Sequence, residues 1–290
     1  MNEKINSILK TNKIDYILFG DTDSIALNVQ PLVDKFCQGK TTDEIVKFLD
    51  KFGEDICQKV INTSIDELFE KTNAFDKVMA SKREAIASKT LIRAKKNYGM
   101  YVHNSEGVSY DPPDLKIMGI EVVRSSTPKW CRNKLKECIK DIFEKDEVYL
   151  RNRFKILYNE FRDLKPEDIA FPRGVSDIDK WTDKDFYKKG TPIHVRAAIL
   201  YNHYTKELNN YDAISNGDKI KFIYLKIPNS IHENVFGFPS AMKMPVELKL
   251  DRFVDYDTQF EKTFKEPLQS LIDCAGWSLE DKTNLEDFFG

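Results

Sequence analysis

The chain has 290 residues, of which 41% are hydrophobic and 32% are charged, and its formal net charge is −2. This composition excludes a disordered chain, and no apolar run approaches the roughly 20 residues that a membrane span needs. The N-terminus lacks an apolar stretch, which argues against secretion. The net charge does not indicate a nucleic-acid binder, although a basic groove can coexist with an acidic remainder.

The cysteines are odd in number and widely scattered, and no pair has the spacing of a zinc knuckle or a redox site. They are Cys37, Cys57, Cys131, Cys138 and Cys274. We therefore expect reduced thiols, a cytoplasmic protein and no membrane partner.

The first predicted elements are a helix over 2–11 and a β-hairpin whose turn is Gly20-Asp21-Thr22-Asp23. Apolar runs at 16–19 and 25–29 flank this turn, as expected for two paired strands. Alternation along a strand can place Asp21 and Asp23 on one face, with Thr22 pointing away. Two adjacent carboxylates repel each other unless a cation lies between them, and hard oxygen ligands suit Mg²⁺. A solvated turn is the alternative interpretation.

Helical and strand patterns alternate after the hairpin. A helix is predicted at 31–36, and a longer one at 43–69 begins after Thr41 or Thr42 as its cap. Strands are predicted at 75–80, 84–87 and 91–102. Together these elements predict an α+β fold, in which helices back an antiparallel sheet.

The second half of the chain is predicted to be mainly helical. Thr127 as N-cap and Pro128 in the first turn begin a helix with an apolar stripe, and Thr191 and Pro192 begin another over 193–208. The backbone amides at Ser125 and Ser126 can hold a phosphate, with ordinary capping as the alternative. A long loop or flap at 165–190, strands at 219–227 and 243–250, and a helix at 257–274 are also predicted.

Several motifs resemble family B DNA polymerases of the T-even phage type. The run 19–24, Phe-Gly-Asp-Thr-Asp-Ser, resembles their YGDTDS signature with Phe in place of Tyr, and 95–98, Lys-Lys-Asn-Tyr, resembles their KKRY motif. Segments 116–121 and 124–129 resemble the passage from palm to thumb, and 192–196 resembles a thumb segment. Because order and spacing agree along nearly the whole chain, accidental similarity is an inadequate explanation.

The resemblance implies an antiparallel palm sheet backed by helices in 1–120, a mainly helical thumb in 121–282 and a sliding-clamp-binding tail in 283–290. It implies that Asp21 and Asp23 are catalytic and bind two Mg²⁺ ions shared with a partner chain. Glu84 resembles an acidic residue near the metals that orders metal-bound water. A salt bridge from Glu84 to a neighbouring lysine is the alternative.

Further residues are implied to contact DNA or the clamp. The DNA-binding residues are Thr22, Lys95, Lys96, Tyr98, Arg124, Ser125, Ser126, His194 and Arg196. Alternation predicts Lys96 and Tyr98 on the same side of one strand, where lysine can reach minor-groove acceptors. In the tail, Leu285, Phe288 and Phe289 resemble a clamp-binding peptide, with packing on the thumb as the alternative.

Three motifs of the family are absent from the sequence. They are DxxSLYP, which carries the other metal-binding aspartate, KxxxNSxYG, which carries a nucleotide-gripping lysine, and the acidic exonuclease motif. The resemblance therefore implies an N-terminal partner chain with exonuclease, fingers and the rest of the palm, besides primer-template DNA, dNTP and a sliding clamp. Family-like sequence directly after Met1 favours a natural split over a cut made for expression, in the cytoplasm of the host.

Two other functional classes are compatible with these residues. One is a non-catalytic DNA-binding or clamp-interacting accessory that keeps the polymerase fold, although the presence of both aspartates argues against lost chemistry. The other is a nuclease that uses the same aspartate pair, which would need more acidic ligands than Glu84 alone.

Overall fold

The structure is a computed structural model that describes residues 1–21, 24–120, 124–184, 186–208 and 210–280. The chain divides into two compact units, Met1–Met118 and Gly119–Gly290. Each unit combines helices with antiparallel strands, so the predicted α+β class is confirmed. Among the described helices, none has the length and apolar character needed to cross a membrane.

The first unit begins with α1 (Asn2–Leu9) and the predicted hairpin, formed by β1 (Ile17–Gly20) and β2 (Ile25–Leu27). The buried Asn6 side chain fixes α1 to the segment before β1. Its amide nitrogen donates to the Ile14 carbonyl at 2.8 Å, and its amide oxygen accepts from the Ile14 backbone nitrogen at 3.1 Å. These two hydrogen bonds fix the position of α1 relative to the segment that leads into β1.

Three helical elements follow the hairpin. They are α2 (Gln30–Phe36), α3 (Thr42–Phe52) and α4 (Gln58–Thr72), with a π-helical stretch at Gly53–Cys57 between the last two. Thr41 is the N-cap of α3, one of the two caps predicted, and it also forms a capping box with Glu44. Val46 and Leu49 of α3 form a small buried cluster with Ile86.

The main sheet of the first unit is antiparallel, with strands in the order β3 (Ala85–Ala94), β4 (Asn97–Ser105) and β5 (Val108–Met118). Two strand predictions are wrong. No strand is present at 75–80, and the strand predicted at 91–102 is two strands joined by a turn at Lys95 and Lys96. Lys96 has a φ of 62°, a left-handed conformation that is usual for Gly or Asn in tight turns. Because a lysine occupies this position, the sequence does not indicate a turn there.

The second unit contains more helix than strand in its described part. Its elements are α5 (Lys129–Glu144), α6 (Glu147–Arg162), α7 (Pro166–Ile169), β6 (Phe171–Gly174), α8 (Ile178–Trp181), β7 (Thr182–Asp183), β8 (Phe186–Tyr187), α9 (Ile193–Thr205), β9 (Lys219–Tyr224), β10 (Val235–Pro239), α10 (Tyr256–Phe260) and α11 (Glu266–Ile272). A π-helical stretch at Glu261–Lys265 joins α10 to α11. The predicted helix at 257–274 is thus confirmed as a segmented one.

The core of the second unit contains a cluster of aromatic side chains and a three-stranded sheet. Trp130 of α5 lies 5.5 Å from Phe161 of α6 between ring centroids, and Phe161 lies 5.0 Å from Phe260 of α10. The sheet has the order β10-β9-β6, and Gly237 of β10 packs closely against the backbone of Ala197 in α9. The apolar stripe of α5 includes both Cys131 and Cys138, which are fully buried.

Three predictions about the second unit are wrong. Segment 165–190 is not a long loop, because it contains β6, β7, β8 and two short helices. The partner of β9 is β10, whereas 243–250 contains a 3₁₀ turn at Val246–Leu248 and a left-handed Lys249 with φ 50°. The N-cap of α5 is Pro128, so Thr127 lies one residue outside the cap position.

All five cysteines are free thiols. This agrees with the expectation from their scattered positions. Cys37 is buried like Cys131 and Cys138, Cys57 is partly exposed and Cys274 is exposed.

Candidate functional site

Asp21 lies at the end of β1, where the predicted hairpin turns. The last strand pair is Gly20 with Ile25, and the backbone nitrogen of Asp21 donates to the Ser24 carbonyl at 2.8 Å. This hydrogen bond fixes the backbone from which the Asp21 carboxylate projects. Thr22 and Asp23 lie outside the described residues, so a shared face for Asp21 and Asp23 stays a prediction.

An aromatic pair connects the hairpin to the main sheet of the first unit. The rings of Phe19 in β1 and Tyr98 in β4 lie 5.0 Å apart between centroids, with an angle of 30° between their planes. Tyr98 in turn pairs with Ile92 of β3 and Met118 of β5. An aromatic contact therefore joins the carboxylate-bearing hairpin to the first residues of β4, the middle strand of the sheet.

Two lysines from the turn between β3 and β4 reach the Asp21 carboxylate. Lys96 Nζ lies 3.3 Å from Asp21 Oδ2, and Lys95 Nζ lies 4.0 Å from Asp21 Oδ1. The predicted placement of Lys96 and Tyr98 on one side of a strand is wrong, since Lys96 belongs to the turn. The turn nevertheless brings Lys95 and Lys96, which are predicted to bind DNA, close to Asp21, which is predicted to bind metal.

The solvent exposure of these side chains limits the strength of the ion pairs. The Asp21 side chain is 22% exposed, whereas those of Lys95 and Lys96 are 72% and 66% exposed. Ion pairs of this kind contribute about 1 kcal/mol or less to stability because water and salt screen them. Either lysine can therefore leave Asp21 and bind another anion with only a small loss of stability.

Glu84 has the partner that the alternative interpretation expected. It lies just before β3, and its carboxylate accepts a hydrogen bond from Lys116 of β5. This hydrogen bond raises the pKa of Lys116 above its usual value. A role for Glu84 near a metal stays a prediction.

The chemistry of the hairpin is compatible with a cation, and Asp21 is the carboxylate of its turn that the structure describes. Over the described ranges, no group of three or more His, Cys, Asp and Glu side chains is arranged to hold a metal ion. The Asp21 carboxylate attracts two ammonium groups, and a carboxylate oxygen is the ligand that Mg²⁺ prefers.

In the second unit, the segment before α5 is held by an arginine that the sequence did not single out. Arg173 of β6 donates from Nη1 to the Ser126 carbonyl at 2.7 Å. Arg124 donates from Nε to the Gly119 carbonyl at 3.2 Å, and both Arg124 and Ser125 are exposed. Arg173 was missed because it falls within the predicted loop at 165–190, where no motif marked it.

His194 and Arg196 lie in the first turn of α9, and the structure gives them different surroundings. Arg196 donates from Nη2 to Asn234 Oδ1 at 2.7 Å, approaches Glu233 at 4.0 Å and stacks over the Tyr187 ring. Burial lowers the pKa of His194, and the nearby Arg173 charge lowers it further. Arg196 is thus engaged within the protein, whereas the pKa of His194 is lowered by burial and by the charge of Arg173.

Comparison with known proteins gives two relatives that align with the whole chain. The DNA-directed DNA polymerase of Enterobacteria phage T4 is 30% identical over 302 positions, which cover 100% of this chain and 34% of that protein. The DNA-directed DNA polymerase of Escherichia phage RB69 is 33% identical over 303 positions, which cover 100% of this chain and 33% of that protein. No family model matches the chain.

The chain is therefore a homologue of phage DNA-directed DNA polymerases. Within that class, it is related over its full length to the T-even-type enzymes of T4 and RB69, as its motifs indicated, and it spans about a third of their length. The tail residues Leu285, Phe288 and Phe289 lie outside the described residues, so their role stays a prediction.

Proposed function

We propose that the chain supplies the C-terminal palm and thumb of a family B DNA-directed DNA polymerase, and that it is active only with a second polypeptide. In this proposal 1–120 is palm, 121–282 is thumb and 283–290 binds a sliding clamp in the cytoplasm of the host. The observation that carries it is homology to T-even-type polymerases along the entire chain. The absent DxxSLYP and KxxxNSxYG motifs would come from the N-terminal polypeptide, with fingers, exonuclease and the rest of the palm.

The first unit would contribute the hairpin side of the catalytic site. Asp21 and Asp23, with a carboxylate of the partner polypeptide, would hold two Mg²⁺ ions, whose charge assists nucleotidyl transfer from dNTP to a primer 3′ hydroxyl. The contact between the Phe19 and Tyr98 rings would keep the hairpin aligned with the sheet. Glu84, paired with Lys116, would lie at the edge of this site.

The DNA-binding residues would act on the primer-template duplex from both units. Thr22, Lys95, Lys96 and Tyr98 would contact the primer end, and Lys95 and Lys96 would exchange Asp21 for acceptors on the duplex. Arg124, Ser125, Ser126, His194 and Arg196 would contact the backbone further along. Because phosphate contacts release counterions, duplex affinity should fall steeply as the salt concentration rises.

An exposed apolar segment in the first unit supports a polypeptide partner. Between α4 and β3, the side chains of Phe75, Val78 and Met79 are 105%, 80% and 59% exposed. No strand in the described part of the chain pairs with this segment. Large apolar side chains at such exposure mark interaction surfaces, and an obligate interface would cover them.

Primer extension tests the proposal directly. The chain alone, with Mg²⁺, dNTPs and a primer-template, should give no extension. Addition of a polypeptide from the same genome that carries both absent motifs should restore it. Asp23→Asn in the assembled enzyme should abolish extension and keep duplex affinity, whereas an accessory protein would function unchanged. Robust extension by the chain alone would refute the proposal.

The partner surface can be tested separately by size-exclusion chromatography of the two polypeptides. Phe75→Asp together with Val78→Asp should prevent co-elution, because two charges would have to enter an apolar interface. Val246→Asp is a matched control, since Val246 is 75% exposed and lies in the second unit. Co-elution of the double variant would exclude this segment from the interface.

A further inference from the structure

Arg173 is a half-buried cation whose guanidinium is positioned by neutral groups. Its Nη1 donates to the carbonyls of Ser126 at 2.7 Å and Pro172 at 3.0 Å, and its guanidinium carbon lies 5.5 Å from the centre of the Phe171 ring. These contacts orient the planar group but do not neutralise it. Within the described residues, its Nε and Nη2 groups donate no hydrogen bond to the protein, so they can donate to another acceptor.

Two other arginines of the second unit, Arg153 and Arg196, have acidic partners. Arg153 lies 3.1 Å from Asp141, and Arg196 approaches Glu233. Within the described part of the chain, no carboxylate forms an ion pair with Arg173, and burial lowers its pKa. Because a partly desolvated guanidinium is stabilised by a counter-anion, this position favours the binding of an anion.

The neighbours of Arg173 suit a phosphate group. Ser125 and Ser126 lie in the segment that Arg173 holds, and His194 is close enough for the Arg173 charge to lower its pKa. Guanidinium, hydroxyl, imidazole and backbone N–H groups are all common contacts of nucleic-acid phosphates. Arg196 is less suited to this role, because Asn234 and Glu233 already engage its guanidinium.

We propose that Arg173, together with Ser125, Ser126 and His194, binds a backbone phosphate of duplex DNA. This inference rests on the proposed function and adds a residue that none of the polymerase-like motifs contains. The planar guanidinium fork would contact two phosphate oxygens at once, a geometry that a lysine cannot reproduce. Arg173 would also keep the Ser125–Ser126 segment in position through its bond to the Ser126 carbonyl.

The test is the affinity of the full-length chain for a fluorescent primer-template duplex, measured by anisotropy across a range of salt concentrations. Arg173→Gln should weaken binding by about 3- to 10-fold and reduce the slope of log affinity against log salt by about 1. Arg173→Lys keeps the charge and should give an intermediate affinity with nearly the original slope. This second variant keeps the test decisive if the glutamine variant does not fold.

Arg252→Gln is the matched control. Arg252 is exposed and stacks on the adjacent Phe253 at 4.9 Å, so the substitution removes the same charge and a similar aromatic contact. Equal affinities and slopes for the Arg173 and Arg252 variants would overturn the phosphate site. If the unsubstituted chain, alone and assembled with its partner, bound no duplex, the proposed function would fail and the site with it.

Discussion

Lys96 Nζ lies 3.3 Å from Asp21 Oδ2, and this ion pair joins the β1–β2 hairpin to the β3–β4 hairpin. Asp21 directly follows β1, whereas Lys96 lies in the turn between β3 and β4. The pair therefore links the carboxylate proposed to bind metal to a lysine proposed to bind the primer end. Because Lys96 is 66% exposed, solvent weakens the pair and either group can change partner.

Asp21→Asn should leave folding nearly unaffected and impair catalysis. The free energy of unfolding should change by no more than about 1 kcal/mol, because the lost ion pairs are screened by solvent. Extension by the assembled enzyme should fall at least about tenfold, as expected when a metal ligand loses its charge. Urea denaturation and primer extension measure the two effects. A loss of stability above about 2 kcal/mol would show that Asp21 has a structural role.

Gly237→Ala should destabilise the second unit. A Cβ at Gly237 would lie 2.9 Å from the carbonyl carbon and oxygen of Ala197, so β10 and α9 would have to separate. Overpacking of this kind costs about 1–3 kcal/mol, which urea or thermal denaturation can measure. Gly174→Ala is the control, since no atom lies within 4 Å of its added Cβ. Equal stability of the two variants would contradict the close packing.

The same close approach explains why β10 was not predicted. Its sequence, Val-Phe-Gly-Phe-Pro, contains two residues that are unfavourable in strands, and only packing on α9 makes the glycine an advantage. In contrast, 243–250 alternates like a strand but contains Pro245 before a 3₁₀ turn. Local sequence patterns therefore predicted a strand at 243–250 that does not form, and they did not predict β10, which is stabilised by packing on α9.

The candidate site could be predicted only where it is local in sequence. The hairpin that carries Asp21 and the helix cap at Thr41 follow from neighbouring residues, and both are confirmed. The pairing of Asp21 with Lys95 and Lys96 depends on a turn with φ 62° at Lys96, which propensity disfavours. The position of Arg173 depends on the pairing of β6 with β9, and these two strands are far apart in the sequence.

Cys131 and Cys138 should resist alkylation in the folded chain. Burial raises the pKa of each thiol to about 12, so almost no reactive thiolate forms near pH 8. The exposed Cys274 should react first with iodoacetamide, followed by the partly exposed Cys57. Mass spectrometry of peptides from native and urea-unfolded protein measures the difference. Rapid labelling of Cys131 or Cys138 in native protein would contradict the packing of α5.

Acid should destabilise the second unit through His194. Its pKa is lowered in the folded state by burial and then by Arg173, whereas an unfolded histidine titrates near about 6.5. Below that pH the unfolded chain binds more protons, so stability falls as the pH decreases and the effect ends below the folded pKa. Above about pH 7.5 the histidine is neutral in both states and contributes no pH dependence.

Arg173→Gln should raise the pKa of His194, because it removes the nearby positive charge and leaves the burial unchanged. NMR titration of the imidazole protons measures this pKa, and His194→Gln identifies the signal among the four histidines of the chain. Arg252→Gln should leave the His194 pKa unaltered. The same titration with bound duplex should also show a higher pKa, because a phosphate beside the ring favours the imidazolium. An unchanged His194 pKa in the Arg173 variant would show that the two side chains are not electrostatically coupled.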